Sequence, residues 1–140
     1  MIGFNETVTI YNKRYDPTAK KNLWQKTVIR DVSWAGSQKV TLGDGLSSND
    51  GYSVRIPLKA MELADGTFLP RDQYQALPDV LYASGYWTAQ NGDVVVLGEG
   101  PDVDDAISEV TKQFTDSFIV TNVNTANLSR LLPHLRLEGR

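Results

Sequence analysis

The sequence predicts a mainly β protein, a small β-barrel or sandwich of about seven to eight antiparallel strands with one short α-helix at about residues 102–114. Three observations lead there. Tyr52, Val54, Ile56 and Leu58 alternate without a break with Ser53, Arg55, Pro57 and Lys59, the period of a half-buried strand. Asn91-Gly92, the pair most used in tight type I′ turns, precedes the β-branched run Asp93-Val-Val-Val-Leu97. A helical spacing stands out at Ile107, Val110 and Phe114, behind the acids Asp102, Asp104 and Asp105, which suit the positive end of a helix.

Taken in order, Thr7 to Tyr11 forms a first strand, with Val8 and Ile10 on one face. Lys13 to Asn22 is rich in turn formers and positive charge and reads as a solvated hairpin loop. Leu23 to Trp34 is the longest strand. Trp24, Val28, Val32 and Trp34 share a parity with Lys26 and Arg30. That mixture requires either a bulge that shifts the register or long stems lying along the core with their charges at the rim. Gln38 to Leu42 is a short strand, and residues 43–51 form a flexible polar loop. Pro57 cannot donate to a ladder, so its end of the 52–58 strand belongs at an edge or at a last pair. Residues 60–85 read as an irregular or assembly segment, in which 60–65 is a helical turn or an irregular return and Thr67 to Leu69 a short strand. The run Asp93 to Leu97 is expected to pair back onto Tyr86 to Gln90. Ser117 to Val123 and His134 to Glu138 close the chain as strands, so the stretch from Gly92 onward is the unit against which the rest packs.

Composition sets the class. The chain has 140 residues, 41% hydrophobic and 22% charged with a net charge of −3, which suits one folded domain spanning residues 1–140. With no cysteine there are no disulfides, thiol catalysis or iron–sulfur clusters, and a single histidine weakens metal readings further. No apolar run approaches the roughly 18–20 residues that span a bilayer, and no export signal is evident at the start. Charge is segregated. Residues 1–40 carry seven Lys or Arg against three acids, residues 41–111 three against twelve, and residues 112–140 four against two. Opposite patches of this kind suit head-to-tail assembly between copies, and acidic loops alone also produce such a distribution.

No catalytic pattern emerges. Glu99, Asp102, Asp104 and Asp105 lack the alternating spacing and the closing bidentate Glu of a calcium loop, and acids at a helix N-terminus account for them. Gly43-Asp-Gly45 and Gly98-Glu-Gly100 lack the strand, helix and Lys of a phosphate loop and read as turns. His134 has no G-x-S-x-G elbow to serve and reads as an ordinary strand residue. The basic and aromatic residues from Lys13 to Arg30 suggest a nucleic-acid face, but a pI of 5.1 argues against one. No enzymatic activity and no cofactor are expected.

Five stretches taken together resemble a known group: Glu6 to Asn12, Trp24 to Trp34, Gly92 to Gly98, Phe118 to Asn124 and His134 to Arg140. They resemble small structural proteins from the head–tail gene region of tailed phages and prophages of Gram-positive bacteria, of the head–tail connector, stopper or minor tail type. Residues 43–85 match poorly, and Leu135 stands where the pattern has an aromatic. The resemblance implies a virion protein made in the host cytoplasm, assembling as a ring at the head–tail interface. It implies portal, adaptor or tail proteins as partners, DNA passage without specific binding, and no membrane. The candidate assembly and channel residues are Asp44 and Asp50 in the acidic loop, Lys20 and Lys21 in the basic hairpin, and Tyr74 and Tyr82 in the aromatic stretch. The competing reading is a non-catalytic binding module for a host-surface glycan or protein. It requires the aromatics of residues 74–87 to be exposed on one face, whereas an assembly protein buries them.

Overall fold

The computed structural model describes residues 5–17, 20–37, 51–64, 66–77, 85–103, 107–114, 116–124 and 134–140. Six strands pair antiparallel into a closed barrel. In chain order they are β1 (Glu6–Asp16), β2 (Lys21–Ser37), β3 (Gly51–Pro57), β6 (Val94–Leu97), β7 (Ser117–Asn124) and β8 (His134–Gly139). Around the ring the order is β1-β2-β3-β8-β7-β6, with β6 pairing back onto β1. Closure leaves the barrel strands without a free sheet edge where they pair. The chain after Gly92 supplies three neighbouring strands, and the first 57 residues supply the other three. Among the described residues, three short helices, α1 (Leu58–Leu63), α2 (Arg71–Gln75) and α3 (Ile107–Gln113), and the parallel pair β4 (Thr67–Phe68) with β5 (Tyr86–Trp87) lie outside the ring.

Period-2 alternation fills the barrel. Val8, Ile10, Val54, Ile56, Val95, Phe118, Val120, Leu135 and Leu137 are buried together, and Ala60, Met61, Trp87 and Ala89 join them from outside the ring. Trp34, Tyr52 and Phe118 meet with ring centroids 5.5 Å apart, Tyr52 stacking on Phe118.

β2 answers the question its mixed parity raised. Glu6 pairs with Val32 but Thr7 with Arg30, so Asp31 is the extra residue of a bulge, at φ 62. Asp tolerates this left-handed conformation better than most side chains. The bulge turns Val32 and Trp34 inward with Ile29, while Trp24, Lys26, Val28 and Arg30 stay on the outer face.

That outer face carries a second, smaller apolar cluster of Tyr11, Val94, Val96 and Val110, flanked by Trp24, Val103, Ile107 and Phe114. β6 is apolar on both sides because one side lines the barrel and the other lies under α3. A strap at residues 98–103 is tied down by outward side chains. Thr9 Oγ1 donates to the Gly98 carbonyl at 2.7 Å, Tyr11 Oη to the Pro101 carbonyl at 2.7 Å, and Lys26 Nζ to the Gly100 carbonyl at 3.0 Å. Arg30 pairs with Glu99. Gly100 lies so close to the Tyr11 hydroxyl that a Cβ there would collide with it.

Several expectations are corrected. Residues 13–16 are not loop: β1 continues to Asp16 and β2 begins at Lys21, so the hairpin is a long ribbon with a short tip. The Asn91-Gly92 turn exists, but β6 pairs with β1 and β7 instead of Tyr86–Gln90. Gly92 has φ 94 while Asn91 is not among the positive-φ residues, and a single positive φ at the third turn position belongs to type II geometry, not type I′. The helix begins at Ile107 among the described residues, and Asp102 precedes it, 3.8 Å from Lys26. Residues 60–63 are helical, as part of α1, and Thr67–Phe68 is a strand. Pro57 forms the last pair of β3 with β8. The expected strand at Gln38–Leu42 and nearly all of the 43–51 loop lie outside the described residues; Gly51 already belongs to β3.

Candidate functional site

The ribbon formed by residues 12–16 of β1 and 21–25 of β2 extends past the point where β6 stops pairing with β1 at Tyr11. The two polar features of interest lie on it, one at its root and one at its tip.

At the root, Asn12 continues the inward parity of Val8 and Ile10 and is fully buried, as is Asp93, which precedes β6. Asn12 Nδ2 donates to Asp93 Oδ2 and to the Thr88 carbonyl, both at 2.7 Å, and its Oδ1 accepts the Thr88 N–H at 3.1 Å. The Asp93 carboxylate also accepts the Lys13 N–H at 2.9 Å, the Gln90 N–H at 3.2 Å and Gln90 Nε2 at 2.9 Å. Its main chain holds β7, because the Val120 N–H donates to the Asp93 carbonyl and the Gly92 N–H to the Val120 carbonyl, each at 2.8 Å. Asp93 thus joins β1, β6, β7 and the 88–90 segment. Burial pushes its carboxyl up to about 7, against the four hydrogen bonds, each of which lowers it. Because every partner of the carboxylate is a donor, the arrangement organises the chain and leaves no lone pair directed at a substrate.

Gln90 extends the knot outward. Its Nε2 donates to the Lys13 carbonyl at 2.7 Å, and its Oε1 accepts from Gln75 Nε2 at 2.8 Å, which fastens α2 to the ribbon. Arg14 reaches the Leu77 carbonyl, and Tyr74 Oη lies 3.4 Å from Gln25 Oε1. Beside the knot is an open cleft of about 640 Å³, with Phe68, Pro70 and Arg71 among its lining residues, together with Ala89, Asn122 and Val123.

At the tip the character reverses. Tyr15 is 56% exposed, and Lys20, Lys21 and Asn22 are exposed with it. Residues 13–21 hold four cations against one carboxylate, Asp16. Lys20 has φ 55, the turn residue that leads into β2.

Of the residues singled out by sequence, Lys20 and Lys21 are therefore together on an exposed tip. Tyr74 is not with them: it is fully buried against the ribbon. Asp44, Asp50 and Tyr82 lie outside the described residues. Asn12, Thr88, Gln90 and Asp93 were not anticipated. Their one sequence signal was an amide and an acid at the ends of strands whose parity points inward. Among the described residues no cluster of three or more His, Asp or Glu is placed to hold a metal, and no helix is long and apolar enough to cross a membrane.

Fold and site together define a small closed β-barrel protein with a saturated polar knot and a charged, projecting ribbon. The chain belongs to a family of unknown function (DUF6751), whose model matches residues 2–140. Comparisons with curated proteins and with solved structures return no match.

Proposed function

We propose that the protein is a virion structural protein of a tailed phage or prophage, acting at the head–tail interface and assembling as a ring through protein–protein contacts. The observation that supports this over a binding module is the burial of the described aromatics within residues 74–87: Tyr74 and Trp87 are fully buried, and Tyr86 is half-buried. A glycan-binding face needs aromatic rings open to solvent. Trp87 instead packs edge-on against Phe68 at 4.9 Å and donates through Nε1 to the Gly66 carbonyl at 3.1 Å.

A second support is that the five stretches carrying the resemblance contribute five of the six barrel strands, β1, β2, β6, β7 and β8. They form one contiguous unit. For Asp44 and Asp50, which lie outside the described residues, the channel role rests on sequence alone: like charge would let DNA pass without binding.

The test is to purify virions from a host carrying a tagged copy of the gene and to quantify the tag per particle. A fixed multiple-copy stoichiometry, localised by labelling at the head–tail junction, is the expected result. Particles lacking the protein, together with retention on a host-glycan array, would replace this reading with the binding module.

A further inference from the structure

The outer face of the barrel holds a group of side chains that neither the core nor the knot needs. Pairing across four strands brings Ser33 of β2, Arg55 of β3, Arg136 of β8 and Asn124 of β7 into one row. Their chain neighbours Trp34, Val54, Leu137 and Val123 pack into the core, so the row itself faces outward. Two arginines therefore stand directly opposite each other on adjacent strands. Arg140 exchanges both backbone hydrogen bonds with Ile119. Bond direction alternates along a strand, so Arg136 also bonds toward β7 and meets Arg55 as a non-hydrogen-bonded pair, the kind with Cα atoms about 4.5 Å apart and side chains closest.

Like charges directly opposite destabilise a sheet. Little offsets them here. Arg55 is exposed and has no ion pair among the described residues, and the exposed Asp31, two residues before Ser33, does not pair with it. Arg136 Nη2 lies 3.5 Å from Glu138 Oε2, at the outer limit of a hydrogen bond, while Glu138 Oε1 accepts Asn122 Nδ2 at 3.2 Å. The second observation does not depend on exposed charge: Arg136 Nε is buried with no hydrogen-bond partner among the described residues. Nε and Nη2 are the two donors of one guanidinium fork, the edge that grips an oxyanion through two parallel bonds. Glu138 holds one of them weakly and leaves the other empty, which costs stability. The Arg136 side chain is 35% exposed, so its fork can turn toward an anion arriving from solvent.

We propose that Arg55 and Arg136 bind a phosphate group, as inorganic phosphate or a phosphate monoester, on the outer face of β3 and β8, with the Ser33 hydroxyl as a neutral donor. Such a group carries about −1.5 to −2 charge at pH 7, which matches two guanidinium groups, whereas a carboxylate or a phosphodiester matches one. It fills the empty Nε and removes the repulsion across the strand pair. Asn124, at the end of the row, is already engaged and is not counted as a ligand. The row is complete in one copy, so the site is independent of ring assembly.

The test is to titrate inorganic phosphate into the whole chain at about pH 7 and constant ionic strength, with chloride as control, following the arginine Nε–H signals by NMR. Saturable shifts of the Arg55 and Arg136 signals that chloride does not reproduce are the expected result. Arg55→Gln, which alters an exposed side chain, should weaken binding at least tenfold. Arg136→Lys, which keeps the charge but removes the fork, should do the same, and melting temperatures without phosphate check the folding of both. Phenyl phosphate then separates the sources: tighter binding than inorganic phosphate assigns a monoester, weaker binding the free anion, and either supports the site. Shifts that rise without saturating, or that chloride matches, would overturn it, as would a site undiminished in Arg55→Gln. A dinucleotide phosphodiester that binds as tightly as phosphate would overturn the charge match and with it the assignment to a phosphate dianion.

Discussion

The root and the tip of the same ribbon, three residues apart in β1, treat polarity in opposite ways. At Asn12 and Asp93 the polar atoms are fully buried and each carboxylate lone pair has a donor. At Tyr15, Lys20 and Lys21 the side chains are exposed. A buried polar group is costly unless its partners are supplied by the fold, so the knot belongs to architecture, and removing Asp93 leaves its donors unsatisfied. An exposed charge is satisfied by water and contributes little to stability, so its place in the molecule is better explained by what approaches it.

This contrast is most easily broken at Asp93. Asp93→Ala strands two backbone N–H groups and two side-chain amides, so urea unfolding should show a loss of about 4 kcal/mol or more. A loss below about 1 kcal/mol would mean that the knot is not what joins the ribbon to the barrel.

The next effect is a pH dependence. The Asp93 carboxyl is raised from 3.8 to about 7, so between these values the folded protein holds a proton that the unfolded chain has released. The stability it contributes is therefore fully present below about pH 4, falls as pH rises toward 7, and is level above that, a change of at most about 4 kcal/mol. Urea midpoints from pH 4 to 8 measure it, and Asp93→Asn should remove this part of the slope. A slope of opposite sign that disappears in the same variant would show that the four donors outweigh burial.

Smaller still is the effect expected at Thr88. Its Oγ1 is buried with no hydrogen-bond partner among the described residues, so Thr88→Val should be neutral or raise stability by up to about 1 kcal/mol. A clear loss in a thermal melt would reveal a partner for the hydroxyl.

At the tip the smallest change in stability is expected. Lys20→Glu/Lys21→Glu should alter the unfolding free energy measured in urea by no more than about 0.5 kcal/mol. A large destabilisation would make the tip architectural as well and would erase the distinction between the two regions.

The strands were legible wherever one face is buried and the other is wet. Val54 and Ile56 point into the barrel and Ser53 and Arg55 away, as their alternation indicates. Ile107, Val110 and Phe114 likewise share the face that α3 turns to β1 and β6. The Asn91-Gly92 turn was legible as a turn, but its partner was not, because a local signal specifies a reversal of direction and not the strand against which the chain then settles. Lys26 and Arg30 were misfits on an apolar parity until the 98–103 strap supplied their acceptors. Asp93 gave no sign of its role, since four donors from sequence positions as distant as Asn12 meet only in the folded chain.

Sequence by itself therefore determined the period-2 strands, the α3 face, the turn at Gly92 and the segregation of charge along the chain, because each depends on neighbours a few residues apart. Only the tertiary structure decided that six strands close into a ring, that Asp31 bulges so that Val32 turns inward, and that Asp93 is encased by donors. These depend on contacts between residues far apart in the chain, and such contacts are chosen by which pairings bury apolar surface and satisfy polar groups at once.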